Sequence, residues 1–296
     1  MVYLLLVVAM ILWSFTFIWY KEVYLNFSPI TLVFLRLFIS TVLLFLFSIA
    51  IKKLVRIKRK DLWLFMVAAM FEPFIYFIGE SFGMKLVSST IAAIIVATIP
   101  LFTPLAASFF YKEKLTRVNL IGLVVSIIGV AFVVFEKGFT QVASFRGILL
   151  MLVAVTGAIG YSVSVKKLTE SYNAFTIVAW QNLLGMIYFA PIFFLLDKGY
   201  VNLLSFPIEA FIPVLKMAVG ASTIAFLLFT IGIGKIGVTR ANMFTNIIPV
   251  CTAILSFFML NEAFTWYKIA GIVIVIAGLF MSQIGEVSLL RKRVNA

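Results

Sequence analysis

Residues 90–134 and 239–283 superpose on one another when the chain is slid by 149 positions. In that register Pro100 meets Pro249, Thr103 meets Thr252 and Glu113 meets Glu262, with no gap. The same offset pairs Thr116 with Thr265, Gly122 with Gly271 and Gly129 with Gly278. Two apolar stretches share Leu, Ile and Val by chance, but not this succession of Pro, Glu, Thr and Gly. An internal repeat constrains architecture before any single motif does, because each copy must adopt the same local fold. The chain therefore divides into two halves, 1–140 and 141–296.

The medium follows from composition. Of the 296 residues 64% are hydrophobic and 12% charged, with a mean hydropathy of +1.18. A soluble domain has about 45–50% apolar and about 25% charged residues, so this is an integral membrane protein. Runs of roughly 20 apolar residues match a hydrocarbon core about 30 Å thick. The first run begins at Val2 without a basic segment or a small-residue cleavage site, so it reads as a retained helix. A single cysteine, Cys251, lies inside an apolar run and excludes a disulfide framework. Histidine is absent, which removes the commonest general base and metal ligand. No metal or cofactor is expected. The net charge of +13 sits in short loops between apolar runs, a signal of topology and not of a nucleic-acid partner.

The fold class expected is an all-α integral membrane protein with ten transmembrane helices, at about 2–20, 29–51, 62–82, 88–110, 117–135, 147–165, 174–196, 210–233, 239–260 and 266–285. Lys and Arg divide 16 to 7 between alternate ends of these helices, with Arg36 inside one. The positive-inside rule then sets both termini in the cytoplasm, in a multi-pass protein of the cytoplasmic cell membrane. Five helices per half is an odd number, so the second half enters from the opposite side. The halves form an inverted pair, the construction that sets a transporter's substrate site near the midplane between repeats.

Ten helices in two halves, each closing with helix, Pro, Glu, Thr, helix and Gly-x6-Gly, resemble the EamA-type transporters of the drug/metabolite transporter superfamily. The residues that carry the resemblance are Pro100, Glu113, Thr116, Gly122 and Gly129, then Pro249, Glu262, Thr265, Gly271 and Gly278. Trp13, Lys21 and Arg36 near the first two helices fit it as well. The resemblance covers the whole chain. It implies export of amino acids, related amphipathic metabolites or drugs through a central cavity, with small-molecule substrate and lipid bilayer as partners and a monomer as the working unit.

An ionisable side chain is costly in lipid, so each one inside a helix is a candidate for function. Arg36 lies roughly 10 Å deep in the second helix and Glu72 roughly 15 Å deep in the third, at 1.5 Å per residue. Glu80 lies one to two turns shallower, nearer the interface. Glu72, Tyr76, Gly79, Glu80 and Gly83 follow helical spacing and are expected on one face. Pro73 removes a backbone bond beside Glu72 and opens the helix there. Arg36 is expected to pair with Glu72 or Glu80, one of which exchanges a proton or holds the cationic end of a substrate. A buried pair that only fixes packing is the simpler alternative.

The second half lacks these charges. An offset of 145 aligns Thr31 with Thr176 and Arg36 with Gln181, while 149 aligns Glu72 with Ala221. In their place stand Tyr161, Trp180, Gln181, Asn242 and Asn246, neutral groups that donate and accept hydrogen bonds to cargo. Asn242, Thr245, Asn246 and Pro249 form one helical stripe. Trp13, beside the polar Ser14 and Thr16, is the aromatic residue best placed to meet substrate. Substrate contacts are thus expected from Trp13, Ser14, Arg36, Glu72, Tyr76, Tyr161, Trp180, Gln181, Asn242 and Asn246.

The repeated residues read as scaffold. Thr116 and Thr265 are suited to cap the helices that follow, with Glu113 and Glu262 favoured beside their free N–H groups. Pro100 and Pro249 kink their helices. A membrane-embedded enzyme would need clustered nucleophiles and bases, which do not occur. An ATP-driven pump would need a phosphate loop, which is also missing. The sequence therefore points to a non-enzymatic secondary transporter acting as an exporter, with a membrane-embedded enzyme or an importer of sugar- or nucleotide-type metabolites as the alternative.

Overall fold

The computed structural model describes residues 1–103, 106, 117–134, 144–197, 206–263 and 265–294. Among them the chain is helical, with no strand. The helices are α1 (Val2–Val23), α2 (Pro29–Ala50), α3 (Leu62–Ala69), α4 (Tyr76–Met84), α5 (Ser89–Val96), α6 (Arg117–Val134) and α7 (Phe145–Thr169). They continue with α8 (Ala174–Leu196), α9 (Ile208–Lys216), α10 (Phe226–Ile236), α11 (Val238–Asn242), α12 (Ile247–Leu260) and α13 (Trp266–Val294). Seven segments among the described residues are long and apolar enough to cross a membrane, counting α3–α4, α9–α10 and α11–α12 each as one. Outward faces carry large apolar side chains such as Leu46, Leu195 and Phe258, whereas Arg36, Gln181 and Asn182 are buried. That inversion suits lipid, where polar groups must find partners within the protein.

Helix starts follow local chemistry. The side chains of Ser28, Ser88, Ser144 and Asn173 accept from the amides of Thr31, Ile91, Gly147 and Thr176. These caps satisfy donors that lipid would leave bare. At one end of the bundle, the Lys21 end, Asp197 after α8 accepts from Thr31 N (3.0 Å), Thr31 Oγ1 (2.8 Å) and Ser28 Oγ. At the other, the Lys166 end, Asn173 Nδ2 donates to Lys53 O (2.8 Å) and Val55 N donates to Thr176 Oγ1 (3.0 Å). The α2–α8 pair is fastened at both ends.

Glycines set a close backbone contact between α6 and α13. A Cβ on Gly129 would come within 2.7 Å of Val275 N and 2.9 Å of Gly271 O, and one on Gly278 within 2.6 Å of Gly122 O. Ser126 Oγ donates to Val275 O at 3.0 Å. Exchange each residue for its mate 149 positions away and this set of contacts maps onto itself.

Three of the continuous helices expected from the sequence are broken. Residues Met70–Ile75 form a wide π-type turn between α3 and α4, and Met217–Ala225 form another between α9 and α10. The two turns overlap under the 149 offset. A 3-10 turn, Met243–Asn246, precedes α12. This irregularity lies just before Pro249, whose missing N–H frees a carbonyl four residues earlier. α5 likewise ends at Val96, four residues before Pro100.

One expectation needs correction. Thr265 does cap α13, accepting from Lys268 N at 3.4 Å. Glu262, however, turns to a different helix, accepting from Ser89 N (3.0 Å) and Thr90 Oγ1 (2.8 Å) at the start of α5. The free N–H groups there draw the carboxylate across to the other half of the chain. Lys21 Nζ meanwhile donates to Met84 O (2.6 Å) and Val87 O (2.7 Å), capping the end of α4. Glu113 and Thr116 lie outside the described residues.

Gly278→Ala is expected to destabilise the protein by about 1–3 kcal/mol, since the neighbouring atoms are largely backbone and cannot rotate away. Thermal unfolding in detergent measures this. Val273→Ala, on the exposed side of the same helix, serves as the near-neutral control.

Candidate functional site

The broken helices surround one cavity in the middle of the bundle. It is lined by Trp13, Thr16 and Phe17 of α1 and Arg36 of α2. Glu72 of the wide turn lines it with Tyr76, Phe77 and Glu80 of α4, then Val96 and Ile99. The other half supplies Ala158, Tyr161 and Ser162 of α7, Phe226 and Phe229 of α10, and Asn242, Thr245 and Ile248. The space open to the centre of a water-sized sphere is about 50 Å³, room for a few waters. A larger guest requires the walls to part.

Seven pairs of lining positions are mates, whereas Arg36, Glu72, Tyr76 and Asn242 line the cavity without their mates. Trp13 with Ala158, Thr16 with Tyr161 and Phe17 with Ser162 are each 145 apart. Phe77 with Phe226, Glu80 with Phe229, Val96 with Thr245 and Ile99 with Ile248 are each 149 apart. The two halves offer equivalent positions and fill them with different chemistry.

Glu72 owes its place to its turn. Its backbone is extended (φ −146°, ψ 116°) inside an otherwise helical segment, which swings the carboxylate toward the cavity. Glycines of α7 and α8 make room. A Cβ on Gly157 would meet Phe71 O and Tyr76 N at 2.8 Å, and one on Gly185 would overlap the Pro73 ring. Glu72 is 7% exposed and has no hydrogen bond or ion pair among the described residues.

Arg36 and Glu80 are both buried within the protein, at 1% and 4% exposed. Arg36 Nη1 lies 4.0 Å from Glu80 Oε2, and Tyr20 bridges them. The Tyr20 hydroxyl donates to Glu80 Oε2 (2.7 Å) and accepts from Arg36 Nη1 (3.1 Å). Tyr76 OH donates to Glu80 Oε1 at 3.0 Å, and Arg36 Nε donates to Ser222 Oγ at 2.9 Å. The guanidinium also lies 4.2 Å from the centre of the Phe77 ring, a cation–π contact. α1, α2, α4 and the Met217–Ala225 turn are tied together through one charge pair.

The face expected on the third helix splits in two. Tyr76 and Glu80 face the cavity, whereas Gly79 and Gly83 face α7, with Gly79 against the Ala154 backbone. The polar stripe of the ninth segment splits as well. Asn242 and Thr245 line the cavity and Asn246 does not, because the tighter 3-10 turn rotates it away. Ser14 is off the cavity and bonds to Met10 O (2.8 Å). Trp180 packs edge-on against Phe45. Gln181 acts through its neighbour, accepting from Tyr161 OH at 2.9 Å. Tyr20 was missed from the sequence. Its spacing of seven from Trp13 and three from Phe17, on the face that lines the cavity, was the available signal. Among the described residues no three His, Cys, Asp or Glu side chains are grouped to hold a metal.

The comparisons agree with this architecture. The profile of the EamA-like transporter family matches residues 1–135 and 145–283. The "Uncharacterized transporter YetK" of Bacillus subtilis (strain 168) is 28% identical over 84% of this chain and 77% of its own. An "Uncharacterized transporter" of Archaeoglobus fulgidus is 27% identical over 90% of this chain and 92% of its own. A solved structure described as "Crystal structure of protein" superposes with a TM-score of 0.72 at 17% identity, covering 95% of this chain and 98% of that one. That last likeness concerns the fold alone.

Removing one member of the charge pair strands the other in a dry interior. Arg36→Met is expected to cost about 3–5 kcal/mol, and adding Glu80→Gln to recover much of it. Tyr20→Phe, which deletes only the bridging hydroxyl, should cost about 1–3 kcal/mol. Thermal unfolding of the purified variants tests the ranking.

Proposed function

Because this chain belongs to the EamA-like transporter family, we propose that it is a secondary transporter working by alternating access. Its cargo is a small amphipathic metabolite, the class that includes amino acids and their relatives. The observation that carries this reading is the cavity lined by mate positions from both halves. Such a cavity suits a site lying on the axis between two repeats, where rocking one half against the other exposes it to each side in turn.

The finer topology belongs to the same proposal. Ten crossings arise if α5, α6 and α13 also span the bilayer, in repeats 1–140 and 141–296. The self-mapping contacts of Gly122, Gly129, Gly271 and Gly278 support an inverted relation between them. The excess of Lys and Arg at the Lys166 end supports a cytoplasmic location for that end and for both termini. The Lys21 end then faces outward. There the Arg36–Tyr20–Glu80 bridge and the Lys21 and Glu262 caps close the cavity. Outward opening requires those contacts to loosen. The protein runs as an exporter and works as a monomer.

Glu72 is the coupling group in this reading. It reaches the cavity without a hydrogen-bond or ion-pair partner among the described residues, so a proton is free to take the place of other ligands on it. Glu80, held by two tyrosines and Arg36, is the positioning group.

In proteoliposomes carrying the purified protein, an imposed pH gradient is expected to drive uptake of one or more solutes from a panel of amino acids and amines. Glu72→Gln should lower gradient-driven uptake by about tenfold or more while unfolding within a few degrees of the parent. Full activity in that variant removes Glu72 from coupling. Solute-independent hydrolysis or ion current, with no solute moved, overturns the transporter reading itself.

A further inference from the structure

The charges of the cavity are unequally committed. Among the described residues Arg36 is the one cationic side chain that lines it, and it is already engaged. Nε and Nη1 donate to Ser222 and Tyr20, Glu80 lies at 4.0 Å, and the Phe77 ring lies beneath it. Glu80 is equally occupied, each oxygen accepting from a tyrosine. The pair is neutral within itself. Glu72 is the remainder, a carboxylate on the cavity wall with no hydrogen bond or ion pair among the described residues. Aromatic residues flank the space, with Trp13 held edge-on by Phe226 (5.2 Å) and Phe229 (5.0 Å). On the side toward the Lys166 end the polar lining is neutral, from Asn242, Ser162 and Thr245.

We propose that the substrate is an organic monocation, with a protonated amine at Glu72, an apolar ring among the aromatic residues and a neutral hydrogen-bonding group toward Asn242. The inference rests on the transporter reading and narrows its cargo. An ammonium group supplies the counter-charge that Glu72 lacks, and aromatic faces favour a cation over a neutral guest. A carboxylate or phosphate on the guest would meet Glu72, and the one cation among the described lining residues, Arg36, is already paired with Glu80. Like charges at short range in a dry site discriminate strongly. Zwitterionic amino acids, sugar phosphates and nucleotides are therefore disfavoured, and amines with the same skeleton are preferred.

Four compounds sharing one phenol ring separate charge from shape: tyramine (cation), tyrosine (zwitterion), N-acetyltyramine (neutral) and 4-hydroxyphenylacetate (anion). Binding to the full-length wild-type protein in detergent and uptake into proteoliposomes are measured for each. Tyramine is expected to bind about tenfold or more tighter than the other three. Glu72→Gln is expected to level tyramine with N-acetyltyramine, and Glu72→Asp to keep part of the preference. The wild-type series decides the matter even if a variant fails to fold. Preference for tyrosine or for the anion overturns the cation assignment, as does binding of none of the four. The transporter reading survives either result, and falls only if the wider solute panel also fails to move.

Discussion

A buried arginine governs this bundle. Arg36 is 1% exposed in a protein whose surroundings are hydrocarbon, and a bare guanidinium there is prohibitive. Its stabilisation draws in three other elements of chain: Tyr20 on α1, Glu80 and Phe77 on α4, and Ser222 in the turn before α10. None of those contacts is a strong interaction at the protein surface. In a low-dielectric interior they become obligatory, because breaking one leaves a charge with no water to turn to. The same bonds fix α1, α2 and α4 against the second half of the chain, with Arg36, Phe77 and Glu80 on the cavity wall. An element that must hold and must also release is suited to a moving transporter, where both states need comparable free energies.

The interruptions of the helices follow a related logic. A regular helix satisfies all of its backbone groups and points its side chains outward in fixed succession. It cannot turn a single residue into a cavity at mid-membrane without losing bonds. The turns at Met70–Ile75 and Met217–Ala225 accept that loss where other protein, not lipid, surrounds the backbone. Pro73 has no N–H to lose, and Gly157 and Gly185 let the neighbouring helices come close enough to cover the gap. Glycine plays the opposite part between α6 and α13. There Gly122, Gly129, Gly271 and Gly278 bring two unbroken helices into backbone contact, a stiff edge away from the cavity.

Much of this was legible in the residue order, and the failures share one cause. Hydropathy gave the segments, and Pro, Glu, Thr and Gly at a fixed offset gave the repeat. Arg36, Glu72 and Asn242 stood out because polar groups in lipid need reasons. What misled was the assumption of unbroken 3.6-residue periodicity. It put Asn246 with Asn242, a pairing that the tight turn undoes, and it put Gly79 with its neighbour Glu80, although adjacent residues of a regular helix point about 100° apart. Glu262 was assigned to its neighbour in sequence, whereas its partners Ser89 and Thr90 lie some 170 positions earlier. Tyr20 was passed over because a tyrosine near a helix end ordinarily belongs to the membrane interface. Only the fold reveals that it bridges two buried charges.

The repeat explains where the chemistry lies as well as where it does not. Identical residues at mate positions, such as Pro100 and Pro249 or the glycines, sustain what both halves need: breaks, close contacts and caps. Seven pairs of cavity positions are mates too, yet Glu80 faces Phe229 across the offset, Val96 faces Thr245 and Phe17 faces Ser162. A symmetric cavity would present equal ends and could not orient a guest. Divergence at these positions gives one charged end and one neutral end joined by aromatic walls, a lining that in the proposed function would hold a polar-ended molecule in one direction. In the proposed transport cycle, symmetry in the scaffold would permit equivalent opening to either side, and its loss in the lining would let the site distinguish one end of a cargo from the other.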